Sequence, residues 1–243
     1  AELRDAERTA SKSQQADDGE FSRKIDSQDE DIGSRAVIRN ARELVWYPSE
    51  VDTSIRTGWF YNPEEDTDVR TADELLDIYL DAVGANASLL LNIPPDTHGR
   101  IAAPDCASLA ELGAKIRQIF SGNVAEKAKI TADSAITQHP ITQAVDGMAD
   151  TYWQAAYGQE SDTITLEFPK PQKVSCVVLG EHLPTGQRIE GGEIWADGSK
   201  ASEFTVVGHK RICRFAPVDV QTLTIKITAS RTEPTLRLLE VYQ

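Results

Sequence analysis

The sequence predicts an α/β segment followed by an all-β domain: the last part of a (β/α)8-type barrel, then an antiparallel β-sandwich. Between residues 44 and 119, short apolar runs alternate with amphipathic helical stretches, the strand–helix repeat of an α/β barrel. Beyond Gly122 helical periodicity gives way to short alternating runs broken by Gly and Pro, the pattern of an antiparallel sandwich. The change places the boundary at residues 121–123 and the domains at 1–121 and 122–243.

Each element has a local reason. Residues 1–33 are polar, and a tract that buries so little apolar surface does not offset its own ordering entropy. Residues 9–32 therefore read as an exposed excursion, and the charges of Asp17, Asp18, Asp29, Glu30 and Asp31 as a solvated face. Ser34 is placed to cap a short helix running to Glu43. Residues 44–47 read as a buried strand ended by Pro48, so that Glu50, Asp52, Arg56, Trp59 and Tyr61 fall on the loop that follows. Thr71-Ala-Asp-Glu74 matches a capping box, and Leu75, Leu76, Tyr79, Leu80 and Val83 then recur at helical spacing until Gly84. Residues 88–93 read as a second buried strand, stopped by Pro94 and Pro95. A helix follows over 104–120, with Leu109, Leu112, Ile116 and Ile119 on one face. Two strand–helix units do not close an eight-stranded barrel, so the remaining strands are expected on polypeptide outside these residues. In the second domain, strands are expected at 163–168, 174–179, 193–195, 204–207, 210–215, 222–228 and 236–242.

Composition narrows the partners. The chain has 25 Lys and Arg against 39 Asp and Glu, a net charge of -14, which disfavours nucleic-acid phosphates and anionic membrane surfaces. No apolar run approaches the roughly 20 residues of a membrane span. Cys106, Cys176 and Cys213 lack metal-ligand or redox spacing, and the latter two sit in apolar runs as small buried hydrophobes. His98, His139, His182 and His209 show no spacing of a metal cluster.

The stretch from 44 to 61 gathers carboxylates, a guanidinium and several aromatic planes, groups suited to handling a sugar. Trp46-Tyr-Pro-Ser-Glu-Val-Asp-Thr-Ser-Ile-Arg-Thr-Gly-Trp-Phe-Tyr61, followed by Asp81-Ala-Val-Gly-Ala-Asn-Ala-Ser-Leu-Leu-Leu-Asn-Ile-Pro-Pro-Asp96, resembles the C-terminal part of the catalytic domain of family 29 α-L-fucosidases, most of all the subgroup acting on α-1,3/1,4-linked fucose. Ala144-Val-Asp-Gly-Met-Ala-Asp-Thr-Tyr-Trp153, Leu179-Gly-Glu-His-Leu-Pro-Thr-Gly-Gln-Arg-Ile189 and Gly208-His-Lys-Arg-Ile212 resemble the discoidin-like, or coagulation-factor type C, modules that follow the barrel in many such enzymes.

The resemblance implies a retaining exo-fucosidase acting on fucosylated oligosaccharides without a catalytic cofactor, in a secreted, periplasmic or cell-surface setting. Retention needs two carboxyl groups about 5–5.5 Å apart. In the family the nucleophile is an Asp on an earlier barrel strand, and in this subgroup the acid/base Glu lies in a Gly-Asn-Glu context; neither motif occurs here. The chain alone is thus expected to be inactive and to need an N-terminal catalytic-barrel polypeptide of the same enzyme. Glu50 is the local candidate for a catalytic acid, with hydrogen bonding to the substrate or to the residues that hold it, or a structural role, as the alternatives. Asp52 and Arg56 form a plausible loop-fixing ion pair, and Arg56 and Tyr61 are also candidates for substrate contact. Trp59 suits the apolar face of a deoxy sugar, Phe60 and Tyr61 read as core, and Asn92 is placed to organise a pocket floor or to satisfy backbone. In the second domain Asp146, Asp150 and Thr151 offer side-chain and carbonyl oxygens over a tight turn, and the resemblance adds a carbonyl near the C-terminus, that of Glu240, as a partner in a structural Ca²⁺ site; an ordinary Asp-Gly turn is the alternative. Trp153 and Trp195 are candidates for a sugar platform, with Trp153 also suited to anchoring the core. A rival reading is a non-catalytic carbohydrate-binding protein that uses the sandwich.

Overall fold

The structure, a computed structural model, describes residues 31, 33–39 and 49–243. The strand expected at 44–47, and all of the polar tract 9–32 except residue 31, lie outside it. Among the described residues the fold is mostly β, with three helices: α1 (Arg35–Ile38), α2 (Ala72–Val83) and α3 (Ala103–Ile119). It divides into two compact units. The first comprises 49–82 and Ala87–Gln118; the second comprises 31, 33–39, Val83–Asn86 and Ile119–Gln243.

In the first unit β1 (Glu50–Ser54) and β2 (Ser88–Asn92) run parallel, in register from Glu50 opposite Ser88 to Ser54 opposite Asn92. β1 thus occupies residues expected in a loop, and the loop proper begins at Ile55. The capping box at the start of α2 is formed in both directions: the Thr71 N–H donates to the Glu74 carboxylate at 2.8 Å, and the Glu74 N–H to the Thr71 hydroxyl at 3.3 Å. Leu75 of α2, Leu112 of α3 and Ile55 share one buried cluster, and Val51, Ala82 and Ala87 a second. β2 departs from the buried strand expected: none of its residues is buried, and Leu90 is 51% exposed. The physical reason is that the pair forms a two-stranded sheet among the described residues, whereas parallel strands are normally covered on both faces.

The second unit is built on an antiparallel sheet. Its strands are β3 (Lys129–Ala132), β4 (Trp153–Gln154), β5 (Asp162–Gly180), β6 (Ile189–Ala196), β7 (Ser199–Phe204), β8 (Arg211–Ser230), β9 (Thr235–Leu236) and β10 (Leu238–Tyr242). The sheet order is β10-β5-β8-β6-β7, with β3 also on β5, while β4 pairs β9. Alternation sorts the faces: Ile164, Leu166, Leu223 and Ile225 are fully buried, and their neighbours Thr163, Thr165, Thr222 and Thr224 point the other way. Each such burial contributes about 1.5–3 kcal/mol. Trp153 is also fully buried and donates its indole N–H to the Ser134 carbonyl at 3.0 Å, which makes it a core anchor.

Several expected breaks are continuous. β5 runs through Pro169 and Pro171 by shifting register between Glu167 and Gln172, the bulge position at which a strand accepts proline. β8 likewise spans both 210–215 and 222–228. The strand expected at 204–207 is instead the end of β7 and a turn that buries Val206 and Val207 before Gly208 at φ +59°. The helix expected from Ser34 to Glu43 is capped by Ser34, whose hydroxyl accepts from Val37 N–H, and ends at Ile38; residues 40–43 lie outside the description.

One carboxylate ties the loops at one end of this unit. Glu181 is 1% exposed and accepts from the N–H groups of Arg188 (2.6 Å), Ile189 (2.9 Å) and Gly208 (2.7 Å). Burial pushes its carboxyl above the ordinary range, and the three N–H donors oppose that shift.

Candidate functional site

Ser54 and Asn92 are the last residues of the parallel strands and sit opposite each other. Asn92 Nδ2 donates to Ser54 Oγ at 3.1 Å and to the Trp59 carbonyl at 2.9 Å. Ser54 Oγ in turn donates to the Gly58 carbonyl at 2.9 Å and accepts from the Arg56 N–H at 3.3 Å. A short polar floor therefore fixes the backbone of 54–59 and presents Trp59, 50% exposed, with Phe60, 87% exposed, beside it. Phe60 is not the core residue expected; it follows Trp59 on a loop whose hydrogen bonds leave both rings outside the buried clusters.

Arg56 supports this loop from within. Its side chain is fully enclosed, and its guanidinium donates to Asp105 at 3.0 Å, Asp66 at 2.8 Å and the Asn62 carbonyl at 3.2 Å. The Tyr61 ring lies 4.8 Å from the guanidinium carbon, within cation–π range. Burial works against the charge, but the two carboxylates outweigh it and raise the pKa further. The partner is thus Asp105 and not Asp52, because Asp52 points outward from β1. Arg56 and Tyr61 hold the loop together, and Trp59 is the side chain the loop offers.

Glu50 is placed elsewhere. It opens β1, exposed and opposite Ser88, at the far end of the strand pair from Ser54 and Asn92. Four steps along the strand, at about 3.3 Å each, separate it from Ser54, so its carboxylate is not part of this polar floor. The residues missed by sequence reasoning are Ser54, Asp66 and Asp105. Asp105 sits in the first turn of α3, where an acid needs no partner beyond the helix dipole, so nothing local announced its tie to Arg56.

In the second unit Asp146 accepts from the Met148 N–H at 2.8 Å and from the Thr151 hydroxyl at 2.8 Å. These are hard oxygen donors of the kind Ca²⁺ takes. Glu240 lies on β10 opposite Val178. Among the described residues no three His, Cys, Asp or Glu side chains group as a metal site, so a site of the expected kind would draw on carbonyl oxygens as well as side chains. Nearby aromatics form a stack that no spacing announced: Tyr152 lies between His139 at 3.8 Å and His182 at 3.9 Å. Burial and the neighbouring His139 hold His182 below its ordinary pKa.

An exposed indole on a loop held by a polar floor thus lies at the C-terminal ends of two parallel strands, the end at which α/β barrels build their sites. In comparison with known proteins, residues 8–118 match the family model described as Alpha-L-fucosidase. Residues 123–237 match a family described as Domain of unknown function (DUF7402). The chain is 32% identical over 209 residues to Alpha-L-fucosidase 1 of Arabidopsis thaliana, covering 81% of this chain and 41% of that protein. Among solved structures it is similar to an α-L-fucosidase-like protein of Bacteroides thetaiotaomicron (TM-score 0.78, 31% identity, 82% of this chain and 45% of that one). It is also similar to a family 29 fucosidase of Ruminococcus gnavus in complex with fucose (TM-score 0.76, 28% identity, 82% and 41%). The chain thus spans less than half the length of these relatives.

Proposed function

We propose that this chain is the C-terminal part of a retaining exo-α-L-fucosidase acting on α-1,3/1,4-linked fucose, comprising the last two units of a (β/α)8-type barrel and a discoidin-like β-sandwich. The observation that carries the reading is the bond of 2.9 Å from Asn92 to the Trp59 carbonyl, which holds the backbone that bears a half-exposed indole at the strand ends of a segment matching the Alpha-L-fucosidase family model. There the indole packs on the apolar flank of fucose, while Arg56 and Asp105 keep its loop from moving. The exposed flanks of β2 fit against further barrel strands, and the nucleophile and acid/base belong to that N-terminal polypeptide. Under the same proposal the sandwich holds a structural Ca²⁺ at the Asp146–Thr151 turn, and the enzyme works in a secreted, periplasmic or cell-surface setting. No helix among the described residues is long and apolar enough to cross a membrane.

The test is turnover: hydrolysis of an aryl α-L-fucoside is expected only when these residues are joined or combined with the N-terminal part that completes the barrel. A lone chain that binds fucosides without cleaving them, with or without the added N-terminal part, replaces the fucosidase reading with that of a carbohydrate-binding protein.

A further inference from the structure

The solvent face of the antiparallel sheet carries a second feature. A cleft of about 550 Å³ opens where the loop after β3 meets β5 and β8, within the size range of ligand pockets. Its walls include Asp133, Ser161, Thr163, Lys226 and Thr228. Asp162 backs it, 6% exposed, accepting from the Ser134 hydroxyl at 2.6 Å and the Asp133 N–H at 3.1 Å. That built-in network fixes the β3 loop as one wall.

The same sheet face carries an aromatic residue one row beyond the cleft. Across the sheet Thr163, Lys226 and Glu193 form one row, and Thr165, Thr224 and Trp195 the next. Lys226 Nζ lies 3.9 Å from the Trp195 ring centroid. Glu193 accepts from the indole N–H at 2.9 Å and from Lys200 at 3.0 Å. Lys200 also reaches Glu203 at 2.7 Å. The indole is thus held at its edge and its face on the outer side of the sheet, away from the core where Trp153 lies.

We propose that this sheet face, from the Asp162 cleft to Trp195, binds a neutral, hydroxyl-rich oligosaccharide. The charges select for neutrality: Asp133 and Asp162 repel a phosphate or sulfate, and Lys226 repels an amine. The hydroxyls of Ser161, Thr163 and Thr228 both donate and accept, as a sugar's hydroxyls require, and a fixed indole supplies a platform for a C–H face. Such a surface keeps the enzyme on a glycan while the strand-end site of the first unit works on its fucose. Only the choice of a fucosylated probe rests on the fucosidase reading; the chemistry of the cleft does not.

The experiment is an NMR titration of the full chain with lactose and with 2′-fucosyllactose, each to about 10 mM, a range that detects millimolar binding. The expected result is saturable shifts at the Thr163, Lys226 and Thr228 amides and at the Trp195 indole N–H with at least one sugar. Thr163→Val with Thr228→Val, which suits strands, is expected to weaken binding about tenfold or more, roughly what losing two modest hydrogen bonds gives. Trp195→Ala, on the outer face, provides a second variant with the same expected loss, and far-UV circular dichroism checks folding in both. No shifts with either sugar, shifts confined to residues outside this face, or affinity unchanged in both folded variants would overturn the proposal. Fucoside turnover is read separately on the complete enzyme, so failure there strikes the fucosidase reading and leaves the binding result standing.

Discussion

Replacing Asp105 by Ala tests whether the 55–70 loop hangs on an interior ion pair. Arg56 and Asp105 are both fully enclosed and meet through two contacts of 3.0 Å. Removing one member of such a pair costs about 3–5 kcal/mol, because a charge is left without compensation. Asp66 still holds the guanidinium at 2.8 Å, though its own side chain is 38% exposed, which places the loss near the lower bound, about 3 kcal/mol. Asp66→Ala removes only the more solvated partner and is expected to cost about 1 kcal/mol. The double change Arg56→Met with Asp105→Leu leaves no enclosed charge unpaired, since Asp66, which also loses its partner, is 38% exposed to water, and should lie within about 1 kcal/mol of the wild type. Native-state hydrogen exchange is the suitable assay, since two compact units need not unfold together. The reporters are the amides of Ile55 and Arg70, bonded to the carbonyls of Asn92 and Ile55 at 3.0 and 2.9 Å. A loss of 3 kcal/mol lowers their protection by about two orders of magnitude. A drop of less than about tenfold in Asp105→Ala, or an equal drop in the double variant, would refute the reasoning.

Other expectations concern single groups. Trp59→Ala in the complete enzyme should lower kcat/KM for a fucoside by about tenfold or more, the scale of a lost aromatic contact, with an unchanged melting curve because the ring is half exposed; unaltered kinetics would remove it from the site. Gly192→Ala would set a Cβ 2.2 Å from Phe204 Cζ and 2.6 Å from the Lys226 carbonyl, so urea denaturation should show a loss of about 3 kcal/mol or more. Glu233 accepts from the Gly158 N–H at 2.8 Å, and its bonds to that N–H and to Thr232 lower its carboxyl from 4.5 to about 2. The folded value lies below the unfolded one, so its contribution is complete above about pH 4.5 and lost as pH falls through 2. The wild type should therefore exceed Glu233→Gln in stability at pH 6 and match it near pH 2. For the proposed Ca²⁺, chelation should lower the melting temperature of the wild type but not of Asp146→Ala; equal curves with and without chelator would remove the ion.

What the sequence made legible was local. The capping box of α2 and the Ser34 cap each depend on residues three apart, and both appear as read. Strand alternation in β5 and β8 was visible because one face is buried and period two is simple. What escaped is pairing at a distance. Proline at 169 and 171 reads as a stop, yet a register shift absorbs it. Pro48 reads as the end of a strand and leaves Glu50 in a loop, whereas parallel pairing with Ser88 draws it into a strand. Arg56 and Asp105 are 49 positions apart, and no spacing rule links a loop guanidinium to a helix-start acid. The Asn92 side chain was legible as an organiser; the Ser54 hydroxyl it needs was not, since a strand-end serine has no distinguishing pattern.

β5 is the strand on which its sheet depends, bonded to β3, β8 and β10. Two of these three partners, β8 and β10, follow β5 in the chain, between Arg211 and Tyr242. During translation a finished β5 therefore waits with unpaired edges until β8 and β10 have left the ribosome. Its apolar residues are exposed for that interval, and non-local pairing of this kind is slow. Slower elongation would lengthen the wait, so the yield of native protein in a cell should depend on translation speed and chaperone supply more than on the final stability of the fold.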